Sequence, residues 1–252
     1  RSIYCYTLSQ LSLFITACLI VWIYSKSGHE QSAFQNSFKL DGLAMILKFA
    51  ICFVTAVVFL YSRKYLQQIG ILRGEYFTLG LFGVLGMLVM VSAYSLLVIY
   101  LGLEMLSLSL YAMVAYHRDS SQASEAAMKY FVLGAIASGM LLYGMSLIYG
   151  AAGSINIDAI KTAIVTGQNN QTVMALGVVF TVVGIAFKFG AVPFHMWIPD
   201  VYHGSPTAVT VYIGTAPKLA AFAMLMRLLA EGLGGMHTHW QDMIVILAVL
   251  SI

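Results

Sequence analysis

The feature that most restricts how this chain folds is a set of ionisable side chains lodged deep in long apolar runs. It is densest in residues 179–218, VFTVVGIAFKFGAVPFHMWIPDVYHGSPTAVTVYIGTAPK. An apolar helix closes near Lys188, a Pro-broken stretch follows, and a second apolar helix carries Lys218 in its interior. Hydrocarbon tolerates an ionisable group or an interrupted backbone only where it faces protein or a watery path, so this segment is a functional candidate. Hydrophobic residues make up 60% of the chain and charged ones 9%. That composition predicts an all-α integral membrane protein, a polytopic helical bundle. The net charge of +3 is scattered without a basic cluster, which excludes nucleic acid as a partner. Cys5, Cys18 and Cys52 lie in apolar runs without a His or second Cys at ligand spacing and read as small buried hydrophobes.

The apolar runs predict spans at residues 3–24, 42–61, 76–93, 96–116, 125–149, 172–202 and 206–229, then a shorter run, 243–252. Because the chain starts at Arg1 without Met and stops inside that last run, residues 1–252 are expected to form one membrane domain incomplete at both ends. Lys48 sits early in its span and is expected to snorkel. Gly80, Gly83 and Gly86 suit close helix contact. Glu104 lies about ten residues from either end of its run, roughly 15 Å deep at the helical rise and so at the midplane. With Tyr100, Ser107 and Tyr111 it forms one polar stripe, which must face protein.

Ser124 is placed as an N-cap for the fifth span, and Glu125 and Lys129 form an i, i+4 pair; a solvated helix start accounts for these residues as well as a functional role does. Ala135 with Gly139, and Gly134 with Ser138, suit tight packing. The loop 151–171 reads as polar and featureless. Gly177, Thr181, Gly184 and Lys188 repeat the stripe, and Gly190 and Pro193 then break helical geometry, predicting a discontinuous helix near Lys188 to His195. Pro206 opens the seventh span. Pro217 falls mid-helix, one residue before Lys218, which lies about twelve residues in, again at the midplane. Counting loop charges sets Arg1, Arg63, Lys64, Arg73 and Arg118 against Lys26, Lys39, Lys161 and Arg227, favouring the Arg1 side as cytoplasmic.

The runs GLEMLSLSLYAMVAY, SEAAMKYFVLGAIASG, FKFGAVPFHMWIPDVYHGSPTAVT and APKLAAF resemble the antiporter-like subunits of the proton-pumping NADH:quinone oxidoreductase, respiratory complex I. The pattern PFHxWxPD is shared with Mrp-type cation/proton antiporters, whereas DVYxGSPTAVT resembles the subunit N branch. The resemblance implies two inverted five-helix repeats with a half-channel in each, the first repeat occupying residues 76–229. It implies proton transfer by Glu104, Lys188 and Lys218, with Lys129 and His195 near the proton path. Pro217 departs from the small residue often found before the central lysine. The implied function is that of a membrane-arm subunit translocating protons in response to quinone reduction elsewhere in the complex.

With no nucleotide loop, metal-ligand cluster or nucleophile triad in this chain, NADH, FMN, iron–sulfur clusters and quinone would belong to partner subunits. The implied partners are other membrane-arm subunits, especially a neighbouring antiporter-like subunit and small carboxylate-bearing membrane subunits, together with the lipid of a bacterial inner membrane. An Mrp-type antiporter subunit or a non-conducting scaffold are the alternative readings. At about 7 Å and an effective dielectric of 20, Glu104 and Lys188 would stabilise one another by roughly 2.4 kcal/mol. Moving a proton against about 180 mV needs roughly 4 kcal/mol, so energy must also arrive from elsewhere. His195 suits a relay role by its ordinary titration range, or interfacial anchoring beside Trp197.

Overall fold

Long apolar helices leave the chain few places to turn, and the turns carry its polar residues. The computed structural model describes residues 2–27, 30–167 and 170–252; Arg1 and the loop residues 28, 29, 168 and 169 lie outside these. Helix α1 (Ser2–Ser27) leads into a hairpin of β1 (Gln31–Ala33) and β2 (Phe38–Leu40), paired antiparallel with Gln31 opposite Leu40. Then come α2 (Gly42–Gln68), α3 (Gly74–Ser92), α4 (Leu96–Val114), α5 (Ser121–Ala152), a short α6 (Ile157–Val165) and α7 (Gln171–Phe189). Helix α8 (Trp197–Gly204), α9 (Thr207–Gly214), α10 (Ala216–Leu225), a π turn (Met226–Gly232) and α11 (His237–Ser251) complete the order. Seven helices among the described residues are long and apolar enough to cross a membrane, Thr207–Gly232 counting as one.

Close backbone approach sets two helix pairs. A Cβ on Gly86 of α3 would lie 2.7 Å from the Gly102 carbonyl of α4, and one on Gly144 of α5 would lie 2.8 Å from the Gly177 carbonyl of α7. Tyrosines join these pairs to α2 and α9: the Tyr76 hydroxyl donates to the Ala208 carbonyl (3.1 Å) and shares a hydrogen bond with the Ser62 hydroxyl (2.9 Å), and Tyr212 donates to the Gly80 carbonyl (2.7 Å). Lys48 is buried, its Nζ 4.7 Å from the centre of the Phe38 ring in the hairpin.

Several local expectations are corrected. Helix α5 starts at Ser121, and Ser120 is its cap, its Oγ accepting the Ala123 N–H at 3.2 Å; Ser124 lies one turn inside. The loop after α5 contains α6, started by Asn156 and held by buried Ile157 and Ile160. Cys18 is exposed and only Cys52 fully buried, because α1 is packed on one side alone. Gly134 and Ser138 are buried against neighbours, whereas Ala135 and Gly139 face outward. The seventh span is not a continuous helix. Pro217 would collide with the carbonyl one turn back, so the chain breaks at Thr215 (φ −117°, ψ −92°) and Pro217 falls in the first turn of α10, where a missing N–H is harmless. Lys218 therefore stands at the start of a half-helix rather than inside a whole one.

Candidate functional site

The site is built on the broken end of α7. Gly190 takes a left-handed conformation (φ +73°), which only a residue lacking Cβ adopts without strain. The N–H groups of Gly190 and Ala191 fold back onto the carbonyls of Phe187 and Ala186, both at 3.0 Å. The carbonyls of Lys188 and Phe189 remain available, and Lys218 Nζ donates to them at 3.0 and 2.9 Å. An ammonium thus sits at the negative end of a helix dipole. Trp197 braces this arrangement. It is 2% exposed, donates Nε1–H to the Phe187 carbonyl at 3.1 Å, stacks on Tyr130 at 4.8 Å, and has Lys218 Nζ 5.3 Å from its ring centre.

Lys188 points the other way, toward α4. Its Nζ donates to Ser107 Oγ at 2.7 Å, and that hydroxyl in turn donates to the Leu103 carbonyl at 2.7 Å. Three residues before Ser107 on the same helix, Glu104 accepts a close hydrogen bond from Ser138 of α5. The polar stripes thus meet in a row: Ser138 on α5, Glu104 and Ser107 on α4, Lys188 on α7, then Lys218 on α10. Ser107, Lys188, Trp197, Pro217 and Lys218 border a cavity of about 20 Å³, room for a single water. Among the described residues no ion pair within 4.0 Å reaches Glu104, Lys188 or Lys218. Their direct partners are neutral hydroxyl and carbonyl groups.

Two sequence-selected residues stay outside this row. Lys129 pairs with Glu125 (2.8 Å) and with Asp200 of α8 (2.9 Å) at a solvated rim, and His195 is exposed in the turn before α8. Arg227, counted in the sequence as a loop charge, is instead fully buried. It donates to both Asp41 oxygens (2.7 and 2.8 Å) and to Glu231 Oε1 (2.7 Å). Its removal from the loop count leaves Arg1, Arg63, Lys64, Arg73 and Arg118 against Lys26, Lys39 and Lys161. Burial works to raise the Asp41 carboxyl, but the Arg227 hydrogen bond and charge, with the Ala44 N–H and Lys39, hold it below the usual carboxylate range. The i, i+4 spacing of Arg227 and Glu231 was the available sequence signal for this cluster.

The model of the NADH:quinone oxidoreductase/Mrp antiporter transmembrane family matches residues 93–252, which include the whole row. The chain belongs to this family. Over 250 residues it is 59% identical to NADH-quinone oxidoreductase subunit N of Thioalkalivibrio sulfidiphilus, and over 247 residues 58% identical to that of Hydrogenovibrio crunogenus; each match covers 98% of this chain and 51% of the relative. The chain thus spans about half the length of the curated relatives it matches. Among solved structures it is similar to a chain of respiratory complex I from Thermus thermophilus, with a TM-score of 0.76 and 32% identity over 90% of this chain and 48% of that one. The antiporter-like, multi-helix membrane fold follows from this match and the seven spans.

Proposed function

We propose that this family member is a membrane-arm subunit of a bacterial inner-membrane NADH:quinone oxidoreductase and carries protons through the row Glu104, Lys188 and Lys218. The observation that carries this reading is the engagement of both lysine amines by neutral oxygens inside the bundle, Lys188 on Ser107 and Lys218 on the broken end of α7. An amine held by a hydroxyl or carbonyl still donates an N–H after losing a proton, so its geometry survives both charge states. One water in the intervening cavity completes a route between the two amines.

Glu104, one turn from Ser107, sets the field at Lys188: turning it away from Ser138 toward Lys188 favours the ammonium, and withdrawing it releases a proton toward Lys218. Energy for the withdrawal comes from quinone reduction in partner subunits, which hold NADH, FMN and iron–sulfur clusters. A neighbouring antiporter-like subunit and small carboxylate-bearing subunits transmit it. Residues 76–229 act as the first five-helix repeat, and Lys129 and His195 serve the approach from the membrane face rather than the buried transfer.

The test is Glu104→Gln and Lys218→Met in the assembled complex in inverted membrane vesicles. Both variants are expected to lower NADH-driven proton uptake at least about ten-fold while assembly is retained. Wild-type uptake in either one overturns that residue's role. Cation exchange retained in vesicles without any NADH-oxidising partner would instead assign the chain to an Mrp-type antiporter.

A further inference from the structure

The helix that carries Lys218 ends in a charged cluster that the transfer row does not use. Arg227, 0% exposed, stands in the π turn that follows α10. Besides Asp41 and Glu231, it reaches the Val91 carbonyl of α3 through Nε (3.4 Å) and lies 5.5 Å from the Tyr94 ring centre. Asp41 is the cap of α2, accepting the Ala44 N–H at 2.9 Å, and Tyr94 donates to Asp158 of α6 at 3.1 Å. One guanidinium therefore ties the far end of α10 to the start of α2 and the end of α3, and through Tyr94 to α6.

Among the described residues the near end of α10 has no ion-paired tie; it rests on packing of buried Ala216, Pro217 and Ala220 and on the contacts of Lys218 with the α7 end. The break at Thr215 separates it from α9, so no continuous helix sets its height or rotation there. Lys218 and Arg227 are nine positions apart, about 13 Å along a helix axis, a distance over which a helix transmits displacement as a rod. Arg227 is the second residue of the π turn that continues α10, so it follows directly on the helix that carries Lys218. A guanidinium suits the task because it stays charged at any working pH and grips a carboxylate with two parallel donors.

We propose that Arg227 is a positioning residue for proton transfer: its clamp on Asp41, Glu231 and Val91 fixes the height and rotation of α10 and so keeps the Lys218 amine on the carbonyls of Lys188 and Phe189. This rests on the assignment of Lys218 to proton transfer. A purely structural clamp would change how much complex assembles, not what each assembled complex does.

The experiment compares Arg227→Met and Arg227→Lys with wild type and Lys218→Met in assembled NADH:quinone oxidoreductase in inverted vesicles. It measures NADH-driven proton uptake normalised to the amount of assembled complex. Displacement of a reacting group by an ångström is enough for a large rate loss, so R227M is expected to lose about ten-fold or more per complex and R227K a smaller part. Wild-type uptake per complex in R227M, with only the yield reduced, overturns the proposal. Should R227M not assemble, R227K decides alone: a reduced rate per complex supports the clamp, an unchanged one overturns it. If Lys218→Met itself pumps at the wild-type rate, the transfer reading has failed; if only the Arg227 variants do, the clamp alone has failed.

Discussion

Lys218 and Arg227 stand at opposite ends of one ten-residue helix and its following turn, and they are held by opposite rules. Lys218 has carbonyl oxygens for partners, and Lys188 has a hydroxyl. Arg227 has two carboxylates, three of whose oxygens accept from it. A cation on neutral acceptors loses a proton without leaving a bare opposite charge behind. A cation between carboxylates cannot be neutralised without stranding them in a poorly solvated place. On the proposed reading, burial alone does not distinguish a group that exchanges charge from one that anchors the fold; the charge of its partners does.

The largest test of this contrast is stability. Thermal or denaturant unfolding should show Arg227→Met losing about 3–5 kcal/mol, because Asp41 and Glu231 are left unpaired, while Lys218→Met is close to neutral because no charged partner is orphaned. Equal losses in the two variants would erase the distinction. A smaller effect is expected at Ser107. Its change to Ala removes the acceptor of Lys188, and proton uptake should fall about ten-fold, the equivalent of one charge-assisted hydrogen bond. Ser109 supplies the control, since among the described residues its hydroxyl bonds only the Met105 carbonyl (2.8 Å), and Ser109→Ala should pump normally. If the two serine variants behave alike, Lys188 does not depend on Ser107.

The smallest effect is one of pH. Asp41 titrates below the usual carboxylate range in the folded protein, so its stabilising contribution is fully present above its unfolded value of about 3.9 and is lost as pH falls through the folded value. Acid unfolding below about pH 4 should therefore be steeper in wild type than in Asp41→Asn, with the two slopes parallel near neutrality. Parallel curves throughout would mean that Asp41 is not coupled to Arg227 in the folded state.

Much of the architecture was legible because a bilayer imposes long apolar runs, and the polar stripe through Glu104 and Ser107 stands out against them. Gly190 and Pro193 likewise marked the break after Lys188 by local backbone chemistry. The break at Thr215 was displaced from the Pro that causes it, since the proline is accommodated by starting a new helix before it rather than by kinking an old one. The Arg227 cluster was hidden for another reason. Asp41 is 186 residues from Arg227, and a partner at that separation leaves no periodic signal. Ser124 was the expected cap of α5, but Ser120 takes that place because its Oγ accepts the Ala123 N–H while the helix already runs through Ser124.

Trp197 has one consequence of its own. Its indole is pinned by the Phe187 carbonyl and by Tyr130, and it has the Lys218 amine 5.3 Å from its centre. A fixed indole that close to an amine senses its charge, so on the proposed transfer role a change in the protonation of Lys218 would shift the ultraviolet emission of Trp197.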